Sequence, residues 1–69
     1  MNPKLWEVYV GNIGKVYAGN GTTAKRTFAE YREQSRMNYG RAAGENVELW
    51  CDGELCKEHV GTLSKNEQP

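Results

Sequence analysis

The residues with chemical potential in this chain are few and scattered. Cys51 and Cys56 are its two cysteines, His59 is its single histidine, and Glu45, Glu48 and Glu54 lie near them in sequence. A tetrahedral metal site needs more sulfur and imidazole than this, so neither a metal nor a cofactor is expected. His59 has no hydroxyl or thiol nucleophile at a spacing that would make it a general base. It reads as a strand-end surface residue, and the acids as a solvated edge. Gly11-Asn12-Ile13-Gly14-Lys15 lacks the Gly-x-x-x-x-Gly-Lys-Ser/Thr spacing of a phosphate-binding loop and is followed by a strand pattern. Gly19-Asn20-Gly21-Thr22-Thr23 does open a helix, with Lys25 and Arg26 close behind, and could hold an acidic group on its bare amides. The simpler reading is a connector between strand and helix. With no acid–base pair, nucleophile or metal cluster, an enzyme is not expected.

What remains is a set of aromatic residues at strand spacing. Trp6 to Val10 and Lys15 to Ala18 flank Gly11-Asn12-Ile13-Gly14, and Val47 to Cys51 and Leu55 to Val60 flank Asp52-Gly53. Both are signatures of antiparallel hairpins. Between them lies a helical stretch. The expected fold class is α+β: a ββαββ two-layer domain, with a four-stranded antiparallel sheet and one helix on one face. The domain should span residues 1–61, with 62–69 a disordered polar tail. The strand order between the hairpins is left open.

Loop length sets the faces. A three-residue loop of Asn12-Ile13-Gly14 pairs Val10 with Val16, Val8 with Ala18 and Tyr9 with Tyr17. Trp6, Val8, Val10, Val16 and Ala18 then face the helix with Val47 and Leu49. Leu5, Tyr9, Tyr17 and Trp50 stay outside, with Tyr9 and Tyr17 as a cross-strand pair. In the second hairpin, Trp50 faces either Glu54 or Leu55, depending on whether its loop has three residues or two. With the shorter loop Cys51 and Cys56 lie diagonally on one face, where a disulfide is conceivable; reduced thiols acting as small hydrophobes are the simpler reading. The helix should start from a cap at Thr22 or Thr23, run to about Asn38 and end at Gly40. Ala24, Phe28, Tyr31 and Ser35 fall in one narrow arc, and Lys25, Arg32 and Arg36 line one border of it.

Nine Lys/Arg balance nine Asp/Glu. The balance is uneven: +1 over residues 1–21, +3 over 22–41 and −4 over 42–69. Zero net charge disfavours nucleic acid, because phosphate neutralisation supplies most non-specific affinity. No apolar run reaches the roughly 18 residues of a membrane span and no leader pattern is visible, so a cytoplasmic protein is expected.

Val8-Tyr9-Val10-Gly11-Asn12-Ile13 looks like the shorter ribonucleoprotein motif of the RNA-recognition motif family, in which a strand aromatic stacks a base. The longer signature of that family is absent, and a returning strand stands where its helix belongs. A broader likeness runs through Val8-Tyr9-Val10-Gly11-Asn12-Ile13-Gly14, Tyr39-Gly40-Arg41-Ala42-Ala43-Gly44-Glu45 and Asp52-Gly53. The chain resembles small uncharacterised proteins encoded by bacteriophages and other mobile elements. That resemblance carries no activity. It implies an accessory that binds and inhibits or redirects a host protein.

The functional expectation is therefore a non-enzymatic protein-interaction module. Its partner-binding residues would be Leu5, Tyr9, Tyr17 and Trp50 on the sheet, with Lys25, Arg32 and Arg36 on the helix border. The alternative is a single-stranded nucleic-acid-binding domain that stacks bases on Tyr9 and Tyr17 and holds phosphates on that basic border. A chain of 69 residues with so thin a helical stripe also needs further burial, which predicts a homodimer through the sheet face or a strand edge.

Overall fold

The computed structural model describes residues 4–62. Strands β1 (Trp6–Val10) and β2 (Gly14–Gly19) precede helix α1 (Gly21–Met37), and β3 (Val47–Cys51) and β4 (Glu54–His59) follow it. All four strands form one antiparallel sheet in the order β2-β1-β3-β4. This is the expected ββαββ arrangement. The strand order joins the two hairpins along β1 and β3, which contribute the most apolar alternation. Of the tail expected over 62–69, residues 63–69 lie outside the described residues.

Strict alternation decides which side of the central strands is buried. Val8 and Val10 of β1 and Val47, Leu49 and Cys51 of β3 point to the helix, against Ala24 and Phe28. Direct pairing of Val8 with Leu49 and of Val10 with Val47 makes this layer continuous across the seam between the hairpins. Trp6, Ile13, Val16, Tyr17 and Tyr31 close its rim. The helix lies over β1, β2 and β3, while β4 is exposed along nearly its whole length.

The helix follows the expected arc, with Ala24, Phe28 and Ser35 its buried residues. Its ends differ from expectation by a few residues. Asn20, not Thr22 or Thr23, is the N-cap, and its side-chain oxygen accepts the Thr23 amide at 2.8 Å. At the other end Asn38 takes the left-handed conformation, so that Tyr39 N–H reaches Gln34 O at 3.0 Å. That is the paired closure usually given to glycine. Ser35 holds the following loop: its hydroxyl donates to the Glu45 carbonyl, and its own carbonyl accepts the Gly44 amide.

Both hairpins carry a bulge beyond the turn, and the first one alters the faces. Ile13 N–H closes a turn on Val10 O at 3.0 Å, with Gly14 at φ +95° as anticipated. Val10 then pairs with Gly14 and Tyr9 with Lys15, but Val8 pairs with Tyr17 and Glu7 with Ala18. Val16 is the extra residue. The expected pairings of Tyr9 with Tyr17, Val10 with Val16 and Val8 with Ala18 are therefore wrong: Tyr17 lies on the helix side and Ala18 on the open side. In the second hairpin the Asp52-Gly53 turn has two residues, both with positive φ, and Trp50 pairs with Leu55. A bulge at Cys56 then sets Leu49 opposite Lys57.

Candidate interaction surface

Among the described residues nothing covers the face of the sheet away from the helix, and its centre has an orderly composition. Along β1, Glu7 and Tyr9 point outward; along β3, Glu48 and Trp50 do the same. Antiparallel pairing sets Glu7 opposite Trp50 and Tyr9 opposite Glu48, so acids and aromatics alternate like the squares of a board. Each carboxylate also holds the aromatic two residues further along its own strand. Tyr9 OH donates to Glu7 Oε2 at 3.3 Å, and Trp50 Nε1 donates to Glu48 Oε1 at 3.0 Å. The two rings meet edge to face, with centroids 6.3 Å apart and planes at 76°. Such a contact adds about 0.5–1.5 kcal/mol to simple burial. A shallow cleft of about 280 Å³ runs over this quartet, lined by Glu7, Tyr9, Glu48, Trp50 and Gly53.

The outer strands complete the face. Lys15 of β2 pairs with Glu7 at 3.1 Å. That hydrogen bond, and the negative charge behind it, hold the ammonium protonated above its usual 10.5. Ala18 leaves the neighbouring position low. On β4, Leu55 stands opposite Trp50, and Glu58 stands directly opposite Glu48. The last pair is unusual, because like charges in register destabilise a sheet.

The expected site residues divide between three places. Tyr9 and Trp50 are brought together as the core of this face. Leu5 lies just ahead of β1, half exposed, and its main chain is fixed to the second turn, with N–H to Asp52 Oδ1 and Asp52 N–H to Leu5 O, both 2.8 Å. It borders a separate hollow with Lys4, Gly19 and Asn20. Tyr17 belongs to neither: it packs on the core rim, and its hydroxyl accepts the Asn20 amide at 3.1 Å. Lys25, Arg32 and Arg36 lie on the helix, in the other layer, and each already has an internal contact. Lys25 is 5.2 Å from the Trp6 ring centre, Arg32 is 6.0 Å from that of Phe28, and Arg36 pairs with Glu33 at 2.7 Å. A single surface joining Tyr9, Tyr17 and the basic border does not form.

Sequence reasoning missed Glu7, Lys15, Glu48 and Glu58. A signal was present in the repeated Glu-x-aromatic of the central strands, Glu7-Val8-Tyr9 and Glu48-Leu49-Trp50. Elsewhere, Cys51 is buried and Cys56 exposed, both as free thiols. Burial pushes the Cys51 thiol pKa up, and the adjoining Cys56 adds to the effect. Among the described residues no group of His, Cys, Asp and Glu converges as metal ligands, and no helix is long and apolar enough to cross a membrane. The fold is a two-layer α+β sandwich. No protein-family model, curated protein or solved structure matches this chain.

Proposed function

We propose that this chain is a non-enzymatic protein-interaction module whose docking surface is the uncovered sheet face centred on Tyr9 and Trp50. The observation that carries this reading is the edge-to-face aromatic pair, hydrogen-bonded to Glu7 and Glu48 and covered by nothing among the described residues. Rigid, partly exposed Tyr and Trp side chains are the usual anchors of protein interfaces, because they present large contact area with little rotamer entropy to lose. In the setting implied by the resemblance to mobile-element proteins, the partner is a host protein that this surface inhibits or redirects. The homodimer belongs to the same proposal, with β4 as its edge: that strand is exposed and, among the described residues, has a sheet neighbour on one side only.

Stacking of single-stranded nucleic acid is less well supported, since carboxylates surround Tyr9 and Trp50 and Tyr17 faces the other way. The test is capture from a bacterial lysate by the wild-type chain and by a Tyr9→Ala, Trp50→Ala variant, alongside a titration with single-stranded oligonucleotide at about 50 mM salt, where phosphate contacts are strongest. A protein retained by the wild type and lost by the variant is the expected result. Oligonucleotide binding at this face would replace the reading.

A further inference from the structure

The outer face has a charge pattern that the described residues do not neutralise. Glu48 and Glu58 oppose each other in register, and Glu7 lies on the adjoining strand. Lys15 is the cation there, and it is committed to Glu7. Among the described residues no cation reaches Glu48 or Glu58. The aromatics show the same imbalance. Both cation–ring contacts of the described residues, Lys25 on Trp6 and Arg32 on Phe28, are on the helix side. Tyr9 and Trp50 have carboxylates beside them and, among the described residues, no cation above them.

An aromatic surface rimmed with carboxylates is the complement of a planar cation. A guanidinium stacks on an indole and pairs with a carboxylate at the same time, which an ammonium does less well. Among the described residues the carboxylates do not converge as a metal site, which favours a cation carried on a side chain. A second copy of the chain fits poorly: stacking two of these faces about a twofold axis would set Glu7, Glu48 and Glu58 of both copies against only the Lys15 of each.

Building on the docking role above, we propose that the partner presents an arginine-bearing basic segment to this face. One guanidinium lies over the Trp50 indole and pairs with Glu48, and a neighbouring cation meets Glu58. The like-charge register of Glu48 and Glu58 is then the unbound half of an interface, whose cost in the free chain is relieved when the partner docks.

The test is an amide-resonance titration of the whole 15N-labelled chain with an acetylated Gly-Arg-Ser-Arg-Gly amide, and with the same peptide carrying citrulline, the neutral isostere, for arginine. The arginine peptide should shift Glu7, Tyr9, Glu48 and the Trp50 indole N–H. Citrulline in the peptide, or Glu48→Gln in the protein, should each weaken binding about tenfold or more. Glutamine keeps an oxygen for the Trp50 N–H, so this variant tests charge without dismantling the aromatic pair, and its unperturbed spectrum would show an intact fold. No binding at millimolar peptide, equal affinity for Glu48→Gln, or shifts confined to the Asp52–Glu54 turn would each overturn the proposal. Equal binding of the citrulline peptide at Trp50 would also overturn it, yet leave the face as a docking surface for a neutral partner. Concentration-dependent shifts of the same residues without peptide would assign the face to a second copy instead. Oligonucleotide shifting these residues would remove the docking role itself.

Discussion

Replacing Glu58 with lysine should make this protein more stable, even though the substitution touches no core residue. Glu48 and Glu58 are direct register partners on β3 and β4, where Cβ atoms lie about 4.5–5.5 Å apart and the side-chain charges a little further. Two unit charges about 6 Å apart in water interact by roughly 0.7 kcal/mol. Reversing one sign therefore changes the pair energy by about 1.4 kcal/mol before screening. At 0.1 M salt, with a Debye length near 10 Å, about half survives. The entropy of holding two exposed side chains lowers this further, so the expected gain is about 0.5–1 kcal/mol. For a domain of this size that is a rise in Tm of several degrees. Neutral Glu58→Gln should give about half as much. The assay is urea unfolding of wild type, Glu58→Gln and Glu58→Lys at 0.05 M and 1 M sodium chloride, with the slope of ΔG against urea held as the control for two-state behaviour. The gain should be graded with charge and nearly vanish at 1 M salt. A midpoint that is unchanged or lower at low salt, or a gain insensitive to salt, would refute the electrostatic reasoning. The same Glu58→Lys change should weaken binding of the arginine peptide, so that stability and binding move in opposite directions.

Tyr17→Ala should cost about 1–3 kcal/mol by opening the core rim and leave partner capture intact, whereas Trp50→Ala should cost about 1 kcal/mol and abolish capture; denaturation and capture on the two variants check this. Gly61 is buried and its amide donates to Asn46 Oδ1 at 2.8 Å, and a Cβ there would overlap the Gly44 and Glu45 carbonyl groups. Gly61→Ala should therefore lower stability by about 1–3 kcal/mol, read as a reduced urea midpoint. Iodoacetamide at pH 8 should modify exposed Cys56 well before Cys51, whose thiol pKa is raised by burial, with peptide mass spectrometry giving the order. The chain should sediment as a dimer at high micromolar concentration, and a proline in place of Lys57 on the β4 edge should shift it towards monomer.

The elements were legible because each rests on local chemistry. Val-rich and aromatic alternation around Gly11–Gly14 and Asp52-Gly53 marks two hairpins, and the arc of Ala24, Phe28 and Ser35 marks the buried side of one helix. The turn at Gly14 and the outward position of Tyr9 and Trp50 followed from the same patterns. Tyr17 did not, because period-two counting carries no information on a bulge. With Val16 as an extra residue, Tyr17 moves to the helix side, where its hydroxyl meets the Asn20 amide. The helix cap at Asn20 was within reach of the sequence, because Asn outranks Thr at that position, and the two threonines that follow placed the expected start too late. The Glu-x-aromatic repeat marks Glu7 and Glu48 within their own strands. How the acids group on the face depends on β1 pairing with β3, a contact between residues far apart in the chain that no local pattern announces.

The role of the outer face is tested most directly by site-specific photocrosslinking. Benzoylphenylalanine would be placed at position 18 or position 55, which flank the aromatic pair on the same face, and for comparison at the exposed helix positions 29 and 32, before the chain is exposed to bacterial lysate. A docking role for the sheet face requires one discrete adduct from positions 18 and 55, suppressed by excess wild-type chain and absent from positions 29 and 32. A competable adduct formed from the helix positions alone would contradict it.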